Sequence, residues 1–332
     1  LITTNVKKKD VNMFQYYDVK NKFSVKRIKS FTEFPLGIKY YLFSVFSIIE
    51  SFKFKPDIYI TRNFFTCFLL ILLRKKTIIE LHHDLNSESR VVKFLAKYFK
   101  FLNSKYLKKA IAITNGVKNE FIDKKYLKKK KILVLPSGSS LKYVKNSTNI
   151  KNYFKIGYFG SLYKSRGLEL IKKLAKIDRK NEYYLYGDLN NINLLKYKNL
   201  IKNLHFRDHV PYKDIPKKLS KMNILILPYV SAITVAGDVG DITKYTSPLK
   251  LFDYLTAGKI ILCSDYKVLR EVIGKNNAIF VKNFKNIYSW KNEINKLINQ
   301  PQKQFIISNN NYNLSKHFTL KKRAKKILKE IS

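Results

Sequence analysis

At 332 residues, 45% of them hydrophobic, the chain is long enough for two domains of ordinary size and can bury a sizeable core, which excludes a disordered tail. Its 66 Lys and Arg against 23 Asp and Glu leave a net charge of +43, so an anion is expected among its partners. The cations are mostly Lys dispersed over the whole length beside many Asn and Ile, as a lysine-biased composition also produces; no RRM, KH, zinc-finger or helix-turn-helix pattern is present, and nucleic acid is not an expected partner.

Strand-length apolar runs alternate with helix-period segments, the pattern of βαβ units around parallel sheets. In the first half, strands are predicted at residues 23–28, 57–60, 77–81, 110–113 and 132–135, and helices at 39–52, 64–73, 88–102 and 117–126. The run Phe64 to Leu73, broken only by Thr66, falls short of the roughly 20 residues a spanning helix needs, so it reads as a buried helix. The chain opens Leu1-Ile2-Thr3-Thr4-Asn5 without Met and enters Lys7-Lys8-Lys9, like the end of a strand whose beginning is absent; a fragment is expected.

The polar stretch from Ser137 to Asn152 reads as a linker. Beyond it the alternation restarts, with strands predicted at 153–159, 183–186, 204–206, 223–227 and 259–263. Leu168, Ile171, Leu174 and Ala175 mark an amphipathic helix, and the tail from Ile287 to Ile331 reads as helical with a break near Pro301. Cys67 and Cys263 each lie inside an apolar run, and two such thiols build neither a disulfide framework nor a zinc site. With no signal-peptide pattern at the start, the cytoplasm is the expected compartment.

Open parallel sheets bind ligands beyond the carboxyl ends of their strands, so the following loops are where chemistry is sought. Gly160-Ser161-Leu162-Tyr163-Lys164-Ser165-Arg166-Gly167 joins a predicted strand to an amphipathic helix. Its terminal glycines permit close backbone approach, and a helix N-terminus offers free N–H groups to an anion. A tight turn with solvated cations would read the same.

In Ser247-Pro248-Leu249-Lys250-Leu251-Phe252-Asp253-Tyr254-Leu255-Thr256-Ala257-Gly258-Lys259, Ser247 is a favoured N-cap, Pro248 suits the first helical position and Gly258 the C-terminal cap. Leu249, Phe252 and Leu255 are assigned to the buried side. Lys250 and Asp253 then share the other side near the positive end of the helix dipole, where they suit the phosphates and ribose of a nucleoside diphosphate, or form a surface ion pair. The loop Ala236 to Asp241, with two Gly and two Asp, reads either as a mobile lid or as a surface turn. Glu80-Leu81-His82-His83-Asp84 ends a predicted strand; successive residues there point to opposite faces, so a shared metal is disfavoured against a His reaching into a cleft.

The segment S-P-L-K-L-F-D-Y-L-T-A-G-K, followed by a strand and Ser264-Asp265, resembles the donor-site signature of the family 4 glycosyltransferases of the GT-B fold. Gly160-Ser161 with Arg166-Gly167 is similar to that family's phosphate loop, and Glu80-Leu81-His82 to its first-domain E-x-H segment. The resemblance implies an α/β fold of two facing Rossmann-like domains: an acceptor-side domain at 1–145, a nucleotide-sugar-binding domain at 151–315, and a C-terminal helix at 316–332.

It further implies retaining transfer from a nucleotide-sugar donor to a glycan or lipid-linked acceptor, in cell-surface polysaccharide synthesis. Arg166 and Lys250 would hold the diphosphate, Asp253 the ribose and His82 the transferred sugar, with Gly160, Ser161, Lys164, Ser247, Pro248 and Leu249 completing the donor site. No D-x-D pair is found in a strand-end loop, so neither a metal nor another cofactor is expected. Asp253 stands where the family has Glu, Tyr245 where a second Glu is frequent, and Ser161 and Arg166 where Arg and Lys are usual. The family's first strand and its Gly-rich loop have no counterpart before Leu1.

A nucleotide-sugar-binding or epimerase protein of the same fold is the alternative; a basic nucleic-acid-binding protein is a more remote one. Lys93-Phe94 and Lys97-Tyr98-Phe99-Lys100-Phe101, followed by Lys105, Lys108, Lys109 and the run Lys128 to Lys131, set cations beside rings. That interleaving suits an anionic membrane surface, and it also suits an ordinary helix with its rings turned to the core.

Overall fold

The computed structural model describes residues 1–4, 12–17, 19–20, 22–31, 33–143, 153–162, 166–189, 201–229 and 241–330. Two compact units divide it: Leu1–Leu135 with Ile327–Ser332, and Pro136–Lys326.

In the first unit, strands β3 (Tyr59–Thr61), β4 (Thr77–Leu81), β5 (Leu107–Ala112) and β6 (Ile132–Val134) form a parallel sheet in chain order, and β1 (Ile2–Thr4) and β2 (Lys26–Ile28) form a separate parallel pair. Helices α1 (Met13–Tyr16), α2 (Leu36–Phe52), α3 (Phe64–Leu72), α4 (Arg90–Tyr98) and α5 (Asn115–Asp123) intervene. In β4, Ile78, Ile79 and Leu81 are all fully buried, as a parallel strand covered on both faces requires. Asn63 starts α3 by accepting the Thr66 N–H at 2.8 Å, and the helix buries Phe64, Cys67, Leu70 and Ile71.

The strand predicted from Phe23 is shorter, because Ile2–Thr4 pairs only with Lys26–Ile28. Helix α4 is shorter too. Ser89 caps it by accepting from the Val92 N–H at 3.2 Å, and Lys100 turns left-handed at φ +45°, after which Phe101–Asn103 form a 3-10 turn.

The second unit holds β7 (Lys155–Phe159), β8 (Glu182–Tyr186), β9 (Leu204–Arg207), β10 (Ile224–Leu227), β11 (Ile260–Ser264) and β12 (Ala278–Val281). All six are parallel, in the order β12-β11-β10-β7-β8-β9. The order reverses between β7 and β10, and an open sheet forms its ligand crevice outside the carboxyl ends at such a switch point. Strand β12 was not predicted; its four residues between polar turns carry too little periodicity of their own.

Side chains alternate across this sheet. Ile224 and Ile226 join Leu174 of α6 (Leu168–Ile177) and Trp290 of α10 (Ile287–Ile298) on one face. Leu225 and Leu227 join Leu219 of α7 (Ile215–Ser220), Leu251 and Leu255 of α8 (Leu249–Thr256), and Leu269 of α9 (Lys267–Arg270) on the other. The tail breaks at Pro301 as predicted, giving α11 (Pro301–Ser315), and breaks again before α12 (Leu320–Lys329), where Thr319 Oγ1 accepts the Lys322 N–H at 3.1 Å.

Of the stretch read as a linker, the described part packs within the second unit. Ser139 N donates to Phe318 O at 2.9 Å and Leu320 N to Ser139 O at 3.2 Å, and a Cβ on Gly138 would meet Phe318 O at 2.5 Å.

Candidate active site

Two glycines, one after β7 and one after β8, border the switch-point crevice. Gly160 has φ +137°, and a Cβ there would lie 2.4 Å from Lys250 Cε; a Cβ on Gly187, just past β8, would lie 2.4 Å from Gly160 O. The absent side chain of Gly160 leaves the room that the end of Lys250 occupies, and that of Gly187 lets the Gly160 carbonyl approach. Gly167, at φ +81°, opens α6, and a Cβ there would meet Pro228 O at 1.8 Å. Lys164 lies outside the described residues, as do Ala236 to Gly240 of the loop read as a lid.

Helix α8 supplies the polar groups, with its boundary one residue from that predicted. Pro248 takes the N-cap position, and Ser247 Oγ accepts from the Ser137 N–H at 3.1 Å instead of capping the helix. Gly258 closes the helix at φ +58°, as predicted. The assignment of Leu249 to the buried side is corrected: Leu249 is 62% exposed, while Leu251, Phe252, Tyr254 and Leu255 are buried. Spacing of three and four fits both Leu249 and Leu251 as starting points, and the packing on β10 and β11 selects Leu251.

A cavity of about 200 Å³ opens beside α8, with Gly160, Gly187, Tyr212, Leu249, Lys250 and Asp253 in its wall. Lys250 Nζ donates to Tyr158 OH at 2.6 Å and lies 4.2 Å from that ring's centroid, and Tyr158 OH donates in turn to Ser161 O at 2.8 Å. Burial, with the Arg166 charge second, brings the Lys250 ammonium down to about 7. Asp253 Oδ1 accepts from Ser139 Oγ at 2.6 Å; burial nonetheless raises its carboxyl to about 7, the hydrogen bond opposing the shift.

Among the described residues Lys250 and Asp253 make no ion pair with each other, so the surface-pair reading gives way to two half-buried groups, each facing the cavity with its own partner. Arg166 packs on Tyr229, its guanidinium carbon 5.9 Å from the ring centroid. The structure thus gathers Gly160, Ser161, Arg166, Leu249, Lys250 and Asp253 around one crevice edge. Tyr158 and Ser139, which the sequence reading missed, hold Lys250 and Asp253 respectively, and Tyr212 OH in the cavity wall lies 2.9 Å from Ser140 Oγ.

His82 belongs to the first unit, directly after β4. Its Nε2 is buried with no hydrogen-bond partner among the described residues, 3.5 Å from Glu80 Oε1, and Glu80 also takes Arg62 Nε at 3.0 Å. His83 turns the other way, with Nδ1 2.8 Å from Asp84 O and Nε2 3.6 Å from Glu88 Oε1. Among the described residues no group of three or more His, Cys, Asp or Glu is placed to hold a metal ion.

Solved structures that share this architecture include GT-B glycosyltransferases. Anabaena Alr3699/HepE in complex with UDP and glucose aligns with a TM-score of 0.68 at 15% identity, over 92% of this chain and 85% of that one. A glycosyltransferase from Rickettsia africae ESF-5 gives 0.66 at 16%, over 92% and 83%. Sucrose-phosphate synthase from Thermosynechococcus elongatus gives 0.65 at 12%, over 92% and 82%. The two Rossmann-like domains of the GT-B fold are therefore this chain's fold. Residues 139–314 match the family of Glycosyl transferases group 1, and the chain belongs to that family: it is a glycosyltransferase. No curated protein matches it.

Proposed function

We propose that this glycosyltransferase moves a hexosyl group from a nucleotide-diphosphate sugar to a glycan or lipid-linked acceptor, with retention at the anomeric carbon, in cell-surface polysaccharide synthesis on the cytoplasmic side. The observation that carries the donor assignment is Lys250, set beside the side-chain-free Gly160 at the switch point with Asp253 one turn further along α8. Structures of Alr3699/HepE hold UDP and glucose, and UDP-glucose, which supports a nucleotide sugar here.

In this reading the diphosphate enters beside Gly160 and its charge draws a proton onto Lys250, whose ammonium then moves from Tyr158 OH to phosphate oxygen. Arg166 adds the second cation. Asp253, ionised and held by Ser139, accepts from a ribose hydroxyl. As the bond between sugar and diphosphate lengthens, these fixed cations stabilise the charge on the leaving oxygen; such preorganised electrostatics is usually the largest catalytic term. His82 contacts the transferred sugar. The cations take the place of a metal, and no resident cofactor is needed.

Incubation with a panel of radiolabelled nucleotide-diphosphate hexoses tests the proposal. Nucleoside diphosphate release with label appearing on a glycan or lipid-linked acceptor is expected; epimerised donor, or binding without turnover, would overturn it.

A further inference from the structure

Helix α4 does not turn its rings to the core. Val92 and Ala96 are buried, whereas Val91 at 49%, Phe94 at 53%, Tyr98 at 63% and Phe99 at 62% stand exposed. These rings form one cluster: Phe94 and Tyr98 have centroids 4.6 Å apart, Phe94 and Phe99 6.4 Å, and Phe99 reaches Phe68 of α3 at 5.9 Å. Leu72, one helical turn beyond Phe68, is 66% exposed.

The chain flanking this cluster carries one sign of charge. Arg90, Lys93, Lys97 and Lys100 accompany the α4 rings, with Lys97 Nζ 5.4 Å from the Tyr98 centroid, and Arg74, Lys75 and Lys76 follow α3, Lys75 with its Nζ 5.3 Å from the Phe52 centroid of α2. No Asp or Glu occurs in residues 58–79 or 89–119.

We propose that this α3–α4 face of the first unit docks on an anionic lipid bilayer. Its rings then lie at headgroup depth and its cations meet lipid phosphates, which is how aromatic and basic side chains divide the work at such an interface. The two competing occupants fit less well. A second copy would set these cations against themselves, and a nucleic-acid backbone would neutralise the cations yet leave Val91 and Leu72 in water. No described helix is long and apolar enough to cross a membrane, so the contact is with one surface. The proposal does not depend on the sugar-transfer reading, and its test involves no sugar.

The test is sedimentation with vesicles of phosphatidylcholine alone and of equal parts phosphatidylcholine and phosphatidylglycerol, at low and moderate salt. The parent protein is expected to pellet with the anionic vesicles only. Lys97→Gln with Lys100→Gln should weaken that partition about 25-fold, about fivefold for each cation. Phe94→Ala, Tyr98→Ala and Phe99→Ala together should release the protein at moderate salt while its melting curve stays unchanged. Absence from both pellets, or equal binding by parent and both variants, overturns the proposal. So does a DNA duplex that binds with the same dependence on these variants when the vesicles do not.

Discussion

Ser139 and Asp253, 114 positions apart in the chain, meet through a 2.6 Å hydrogen bond from Oγ to Oδ1. The Leu141 N–H donates to the same Oγ at 3.0 Å, leaving the Ser139 hydroxyl proton for the carboxylate. The carboxyl of Asp253 is thereby turned and kept partly ionised where burial alone would neutralise it.

Ser139→Ala is expected to weaken nucleotide-sugar binding by about 1 kcal/mol, roughly fivefold, with kcat little changed. Titration calorimetry with the donor and steady-state kinetics check this. A change confined to kcat would contradict the assignment of Asp253 to binding.

Lys250→Ala should lower donor affinity and rate together, by about 1.5 to 3 kcal/mol for a charge-assisted bond to phosphate. Gly160→Ala should reproduce much of this loss without touching a charge, because the added Cβ would come within 2.4 Å of Lys250 Cε and displace it. Wild-type kinetics in a folded Gly160→Ala protein would show that Lys250 can work from elsewhere.

The two groups near pH 7 give opposite slopes of stability with pH. Between the ordinary Asp value of 3.8 and about 7, folded Asp253 holds a proton that the unfolded chain has released, so its contribution falls as pH rises. Between about 7 and the ordinary Lys value of 10.5, unfolded Lys250 holds a proton that the folded chain has released, so its contribution rises with pH. Urea unfolding across this range, compared with Lys250→Met/Asp253→Asn, should show the parent's relative stability at a minimum near neutrality. A pH-independent difference would refute it.

With the cationic charge at the leaving group assigned by the proposal to Arg166 and Lys250, turnover is expected to persist in EDTA. Loss of activity in EDTA with recovery on adding Mg²⁺ or Mn²⁺ would move leaving-group stabilisation to a metal.

Local signals in the sequence were enough to place α8 and its flanking glycine, since a capping pattern and one face of apolar residues act within a dozen positions. Alternating apolar runs likewise revealed most strands of both sheets. Tyr158 as the seat of Lys250 and Ser139 as the partner of Asp253 were not legible, because each contact spans about a hundred positions and depends on how β7 and the 137–141 segment settle against α8. For Leu249 the helical period left two solutions that only the sheet beneath could separate. The exposed rings of α4 were ambiguous for the same reason: amphipathic spacing places rings on a side without saying which side is wet.

The chain's two cysteines, Cys67 in α3 and Cys263 in β11, are both wholly enclosed, with burial holding each thiol above its usual range. Thiol-directed reagents therefore meet a silent background in the folded protein. One cysteine introduced at the rim of the cavity or among the α4 rings becomes a unique attachment point, so a fluorophore can report on donor entry or lipid contact without removing either native cysteine.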